Sequence, residues 1–189
     1  METVMIEQQR NKIHPHKFTL WVGIGSILMM FAGLTSAYIV KRNMANWISF
    51  ELPNAFWIST AVVALSSVVM VMAVKAFKNR RLSNYRLLLL ASFVLGLIFI
   101  FTQILGFSQL VNQGVSLGKT SSVDFLYVIV GLHALHVLGG VIVLIVMLLK
   151  AFSAKTRTYA QVPVDLISTY WHFVGILWAY LLIFLIMIK

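Results

Sequence analysis

Five uninterrupted apolar stretches, Phe18–Val40, Ala55–Val74, Leu87–Phe107, Phe125–Leu149 and Leu166–Ile188, leave this sequence few ways to fold. None of them contains Asp, Glu, Lys or Arg. At a rise of ~1.5 Å per residue, each is long enough to cross the ~30 Å hydrocarbon core of a bilayer as a helix. A membrane barrel alternates apolar and polar residues along its strands, whereas these runs are apolar throughout. Inside lipid a helix satisfies its own backbone hydrogen bonds. The pattern therefore predicts an all-α fold: a polytopic membrane bundle of five transmembrane helices.

Composition agrees. Only 11% of the residues are charged and 60% are hydrophobic, against roughly a quarter charged in a soluble domain. The linkers are short and carry turn residues, as in Leu52-Pro53-Asn54 and the stretch from Asn79 to Asn84. No internal repeat and no room for a soluble domain are visible. The chain divides into a polar tail, residues 1–17, and one transmembrane domain, residues 18–189. The tail carries Glu2 and Glu7 and lacks the apolar core of a signal peptide, so the first span is expected to act as the insertion signal.

The formal charge of +10 is a topology signal rather than a nucleic-acid footprint, because the basic residues flank the apolar runs. Arg10, Lys12, Lys17, Lys75, Lys78, Arg80, Arg81, Arg86, Lys150, Lys155 and Arg157 fall on one side. Lys41, Arg42, Lys119 and Lys189 fall on the other. The positive side faces the cytoplasm. The N-terminus is expected inside and the C-terminus outside, in a bacterial plasma membrane. Cys is absent, which removes disulfides, thiolate metal sites and cysteine nucleophiles.

Small residues four apart, Ala32 with Ser36 and Gly33 with Ala37, mark a face where two helix backbones can approach. Gly131, Gly139 and Gly140 are expected to do the same in the fourth span. The ionisable residues within spans are His133, His136 and His172, with Gln103 as an uncharged polar group; Asp124 and Asp165 lie at span boundaries. His133 and His136 are three apart and share a helix face. His136 and His172 fall at similar depths, which predicts that they face each other or a shared polar partner. Three uses compete for these residues: hydrogen bonding between helices, axial ligation of a haem, and a proton path. The last is weakened because no carboxylate lies within a span. Gly131-Leu132-His133-Ala134-Leu135-His136 is not a zinc-protease helix, since Glu is missing and the spacing is wrong. Gly25-Ser26 lacks the glycine pattern of a serine nucleophile elbow.

The last two spans carry more specific patterns. Gly131-Leu132-His133-Ala134-Leu135-His136-Val137-Leu138-Gly139-Gly140 resembles the G-[FL]-H-[GA]-L-H-V-x-x-G stretch of haem-copper oxidase subunit III. Tyr170-Trp171-His172-Phe173-Val174, followed by Trp178, resembles that family's Y-W-H-F-V-D-x-x-W segment. Gly96, Phe99 and Gln103 are similar to its G-x-x-F-x-x-x-Q pattern, and Ser26 to Tyr38 to its S-E-x-x-F-F-x-G-x-x-x-A-[FY] helix. The resemblance is to the five-helix bacterial form, which begins where the third helix of the seven-helix form would be. Three family acids are replaced: one by Ile27, one by Gly106 and one by Gly175. The packing frame is kept and its membrane carboxylates are not.

The resemblance implies a non-catalytic subunit without haem or copper of its own. Those cofactors are expected in partner subunits. The implied partners are the oxidase catalytic subunit I, other oxidase subunits and membrane phospholipid, with a respiratory supercomplex as the wider setting and no nucleic acid. Two other functions stay open at this point: the accessory subunit of nitric oxide reductase, and a haem-binding membrane anchor using His133, His136 and His172. A transporter would show discontinuous helices or inverted repeats, and this chain shows neither.

Overall fold

A computed structural model of the chain describes residues 15–42, 53–114, 118, 121–153 and 161–188. The predicted tail before residue 15, and Lys119, Lys155, Arg157 and Lys189, lie outside the described residues. Five helices are present: α1 (Pro15–Lys41), α2 (Asn54–Lys78), α3 (Leu82–Asn112), α4 (Ser121–Phe152) and α5 (Gln161–Ile188). Each is long and apolar enough to cross a membrane. Each also outruns its predicted apolar stretch, because a helix does not stop at the edge of the hydrocarbon. α3, for example, starts before Leu87 and includes Tyr85, whose ring packs 5.0 Å from that of Phe77.

The buried residues repeat with a spacing of alternately three and four. In α3 they are Tyr85, Leu89, Ser92, Gly96, Phe99, Gln103, Gly106 and Leu110. In α5 the stripe runs through Val164, Ile167, Trp171, Val174, Trp178, Leu181 and Leu185. This heptad spacing keeps one seam of each helix against its neighbours, as in left-handed bundles. α5 is central: it packs against α1, α2 and α4, while α3 packs against α2 and α4. α1 rests on α4 and α5. Its inner stripe is Ile24, Phe31, Thr35 and Tyr38, with Ile27 half-buried between them.

The small-residue face of α1 is not used for packing within this chain. Ala32, Gly33 and Ser36 are exposed, and nothing lies within 4 Å of the position a Cβ would take at Gly33. The large Phe31 and Tyr38, rather than the small residues, occupy the seam of α1. Among the three glycines of α4, only Gly140 makes a close approach; Gly131 faces open space, and Gly139 meets only the Tyr170 hydroxyl at 4.0 Å.

α2 and α3 are joined by a tight turn. The Arg81 amide donates to the Ala76 carbonyl and the Arg80 amide to that of Phe77, the crossed pair that closes a helix C-terminus. That motif places its first residue beyond the cap in the left-handed region, and here the residue is Arg80, with φ 58°. A side chain in that conformation costs about 1 kcal/mol relative to glycine. Arg80→Gly is accordingly expected to raise the unfolding free energy in detergent by about 1 kcal/mol. A clear loss of stability would show that the Arg80 side chain contributes more than its backbone costs.

Candidate functional site

The polar side chains of the bundle interior join helices. On α2, Ser59 and Thr60 lie seven residues before Ser66 and Ser67, so the two pairs sit on one face two turns apart. The Gln103 Nε2 of α3 donates to Ser59 Oγ at 3.0 Å. From α5, the Trp178 indole donates to Thr60 Oγ1 at 3.0 Å and the Trp171 indole to Ser66 Oγ at 2.8 Å. His172 Nδ1 hydrogen-bonds Ser67 Oγ. Ser59 and Thr60 in turn both donate to the Phe56 carbonyl, each at 2.8 Å. α2 is therefore the acceptor rail of the core. The antiparallel run of α5 brings Trp171 and Trp178, also seven apart, opposite its two hydroxyl pairs.

Trp171 sits in a tight slot between two helices. Its ring lies between Gly96 of α3 and Gly140 of α4. A Cβ at 96 would come within 2.8 Å of Trp171 Cη2, and one at 140 within 3.1 Å of Trp171 Cζ3. Both glycines are required because an indole has been laid across the backbones of two neighbouring helices.

The histidines do not converge. His133 is buried in an aromatic box, with ring centroids 5.2 Å from Trp178, 6.1 Å from Phe99 and 6.4 Å from Phe31. Neither of its nitrogens has a hydrogen-bond partner. Its edge-on geometry to the two phenylalanines offers only weak N–H···π contacts. His136 donates from Nδ1 to the Leu132 carbonyl at 2.7 Å, one turn back, and packs edge-on to Phe31 at 5.8 Å. The expected pairing of His136 with His172 is thus corrected. Similar depth did not mean a shared azimuth: His136 points toward α1 and His172 toward α2. The carbonyl of His136 is held by the Tyr170 hydroxyl at 3.0 Å. Among the described residues no group of three or more His, Cys, Asp or Glu is arranged to hold a metal ion.

The sequence reading singled out Gln103, Trp171, Trp178 and the histidines but missed the α2 hydroxyls that bind four of them. The available signal was the seven-residue repeat of Ser59-Thr60 and Ser66-Ser67, which matches the repeat of Trp171 and Trp178. It also missed Thr35. That hydroxyl donates to the Phe31 carbonyl at 2.9 Å, which leaves its oxygen to accept from Tyr180 at 3.1 Å, tying α1 to α5.

Comparison with known proteins places this arrangement. Residues 43–188 match the model of the family described as cytochrome c oxidase subunit III. A probable cytochrome c oxidase subunit 3 of Nocardia farcinica is 31% identical over 163 residues, covering 83% of this chain and 80% of that protein. The chain belongs to the cytochrome c oxidase subunit III family. A cytochrome bo(3) ubiquinol oxidase subunit 3 of Buchnera aphidicola (subsp. Baizongia pistaciae) is 27% identical, covering 87% of each chain. The cytochrome c oxidase subunit 3 of Bacillus sp. PS3 is 24% identical, covering 85% of this chain and 80% of that protein. Like others of its family, this is a multi-pass membrane protein that forms part of a respiratory oxidase complex.

The three positions singled out by the sequence resemblance, Ile27, Gly106 and Gly175, have different surroundings in the bundle. Ile27 packs half-buried against the core from the inner stripe of α1. At Gly106 the ring of Phe56 fills the space a side chain would need: a Cβ there would lie 2.7 Å from Phe56 Cε1. At Gly175 the nearest atom to such a Cβ is Val63 Cγ2 at 3.5 Å, an ordinary contact, and a small cavity shared with Ser66 and Gly96 adjoins it.

Proposed function

We propose that the chain is the non-catalytic third subunit of a bacterial haem-copper terminal oxidase. In this reading it stabilises the catalytic subunit through rigid helix packing and retains lipid at the membrane boundary. Haem and copper belong to the partner subunits. It lies in the plasma membrane with the Lys17 end of the bundle toward the cytoplasm. The orientation rests on charge: Lys17, Lys75, Lys78, Arg80, Arg81, Arg86 and Lys150 sit at one end, and Lys41 and Arg42 at the other.

The observation that carries the accessory reading is where the polar groups go. Gln103, Trp171, Trp178 and His172 are each spent on a hydroxyl of α2. His136 is held by its own helix and His133 is enclosed by aromatic rings. No Asp or Glu stands among them, so nothing there can hand a proton on by way of a carboxylate. The interior is built to hold five helices in register.

Deleting the subunit tests this. The remaining oxidase should keep its haem spectrum and its initial rate, and lose activity after fewer turnovers than the intact complex. Disappearance of a haem from the spectrum on deletion would reject the accessory role.

A further inference from the structure

Lys17, Lys75, Lys78, Arg80, Arg81, Arg86 and Lys150 crowd the end of the bundle from which α1 starts. The one described carboxylate among them is Asp165, and it is already engaged. Lys78 Nζ stands 4.0 Å from its Oδ1, and Gln161 Nε2 donates to its Oδ2 at 3.5 Å. Arg80 is in no ion pair among the described residues. It also holds a left-handed backbone conformation that glycine adopts more easily, so its side chain stands there at a cost to the turn.

Beside Arg80, between the α2–α3 turn and the start of α5, lies a groove of about 350 Å³. Phe77 and Leu82 give it an apolar wall, and Lys78, Arg80 and Gln161 a polar rim. A segment that fits it must carry an acid next to an apolar side chain. The chain has five acids. Glu51 precedes α2 and Asp124 lies in the first turn of α4, both at the opposite end of the bundle. That leaves Glu2 and Glu7, in the stretch before Pro15, and Val4-Met5-Ile6-Glu7 has the required pattern. The reach is sufficient. From Glu7 to Pro15 an extended chain covers roughly 26–29 Å at ~3.3–3.6 Å per residue, more than two helix spacings of ~8–10 Å. Lys78 marks the route, because it lines both this groove and the one that begins at Lys17 of α1.

We propose that the N-terminal segment of the chain folds back over this end of the bundle and docks Ile6 and Glu7 in the groove. The Glu7 carboxylate accepts from the Arg80 guanidinium, a charge-assisted pair that a fork of N–H donors favours. Ile6 lies against Phe77 and Leu82. The segment acts as a clasp. Pro15 to Thr19, where α1 begins, are all exposed, and α1 rests on α4 and α5. A strap from Pro15 to the α2–α3 turn ties α1 to the other helix pair as well. The inference goes beyond the accessory reading and does not depend on it.

The chain contains no Cys, which makes disulfide trapping clean. The full chain carrying Ile6→Cys and Leu82→Cys is oxidised mildly in its native membrane, and the linked peptides are identified by mass spectrometry. A disulfide needs Cα atoms within ~7 Å, so rapid closure reports docking. Ile6→Cys with Asn84→Cys is the control, since Asn84 is exposed and, two residues on, faces away from Leu82. The Leu82 pair should close at least roughly tenfold faster than the control, because docking raises the local concentration at one face only. Glu7→Lys should slow closure at least roughly tenfold by turning attraction into repulsion, and Glu7→Lys with Arg80→Glu should recover it. Salt at about 1 M, with a screening length of ~3 Å, should slow the unaltered pair. Equal rates at 82 and 84, closure indifferent to Glu7→Lys, no recovery in the charge swap, or Leu82→Cys trapped on another subunit instead would each overturn the clasp.

Discussion

Trp171→Ala is expected to lower the unfolding free energy of the subunit by about 3–5 kcal/mol, the range for deleting a large buried aromatic ring. Three helices depend on that ring. It fills the space left by Gly96 and Gly140, and its indole nitrogen anchors α5 to Ser66 of α2. Val141 of α4 and Tyr170 of α5 already pack beside the two glycines, which limits how far the backbones can close on the void. Two companion variants separate shape from hydrogen bonding. Ser66→Ala keeps the ring and loses one interhelical bond, worth on the order of 0.6–1.5 kcal/mol in a membrane protein. Gly96→Ala keeps the bond and drives a methyl group to 2.8 Å from the ring, costing about 1–3 kcal/mol. Thermal unfolding in a single detergent would rank the three. Trp171→Ala within 1 kcal/mol of the unaltered protein would show that the sandwich does not organise the core.

Placing an acid in the third helix should be nearly as damaging. Gly106→Glu is expected to destabilise the fold by at least about 3 kcal/mol, combining overpacking with burial of a carboxyl that lacks a partner. The obstacle is Phe56, which is fully buried and packs 5.7 Å from the Trp178 ring, while its carbonyl receives the hydroxyls of Ser59 and Thr60. It has nowhere to go. Phe56→Ala in the same chain opens room for the Glu side chain and should recover part of the loss. Gly175→Asp is expected to be milder, since its Cβ meets Val63 at ordinary contact distance and only the burial of the carboxyl is left to cost stability. Equal damage at 106 and 175, read as detergent-solubilised yield and melting temperature, would contradict the idea that Phe56 is what bars a side chain at 106.

The number and order of the helices were legible because a bilayer imposes a long, simple pattern: uninterrupted apolar runs closed by Lys, Arg and turn residues. Family motifs pointed to the residues that prove to organise the core, Trp171, Trp178, Gln103 and Gly140. What stayed hidden was azimuth. Every residue of Phe18–Val40 is apolar or small enough to face either lipid or protein, so the run of Ala32, Gly33 and Ser36 looked like a packing face when Phe31 and Tyr38 hold the seam. Depth along a helix can be counted from the chain, which put His136 and His172 at one level. The direction in which each points depends on how its helix is rotated, and that is set by contacts with other helices. The α2 hydroxyls were overlooked for a related reason. A lone Ser in an apolar span satisfies itself on a backbone carbonyl, as Ser26 does on Val22, and only the heptad repeat distinguishes Ser59 and Ser66 from that case.

The central claim, that this chain is a structural part of an oxidase, is tested most directly by purifying the tagged chain from its native membrane in mild detergent and assaying what accompanies it. The expected result is a complex whose catalytic subunit contains haem and copper and reduces oxygen, with no haem absorbance left on the chain when it is stripped from its partners. Co-purification with a nitric oxide reductase instead, or haem absorbance on the isolated chain that is lost in His133→Ala or His172→Ala, would contradict it.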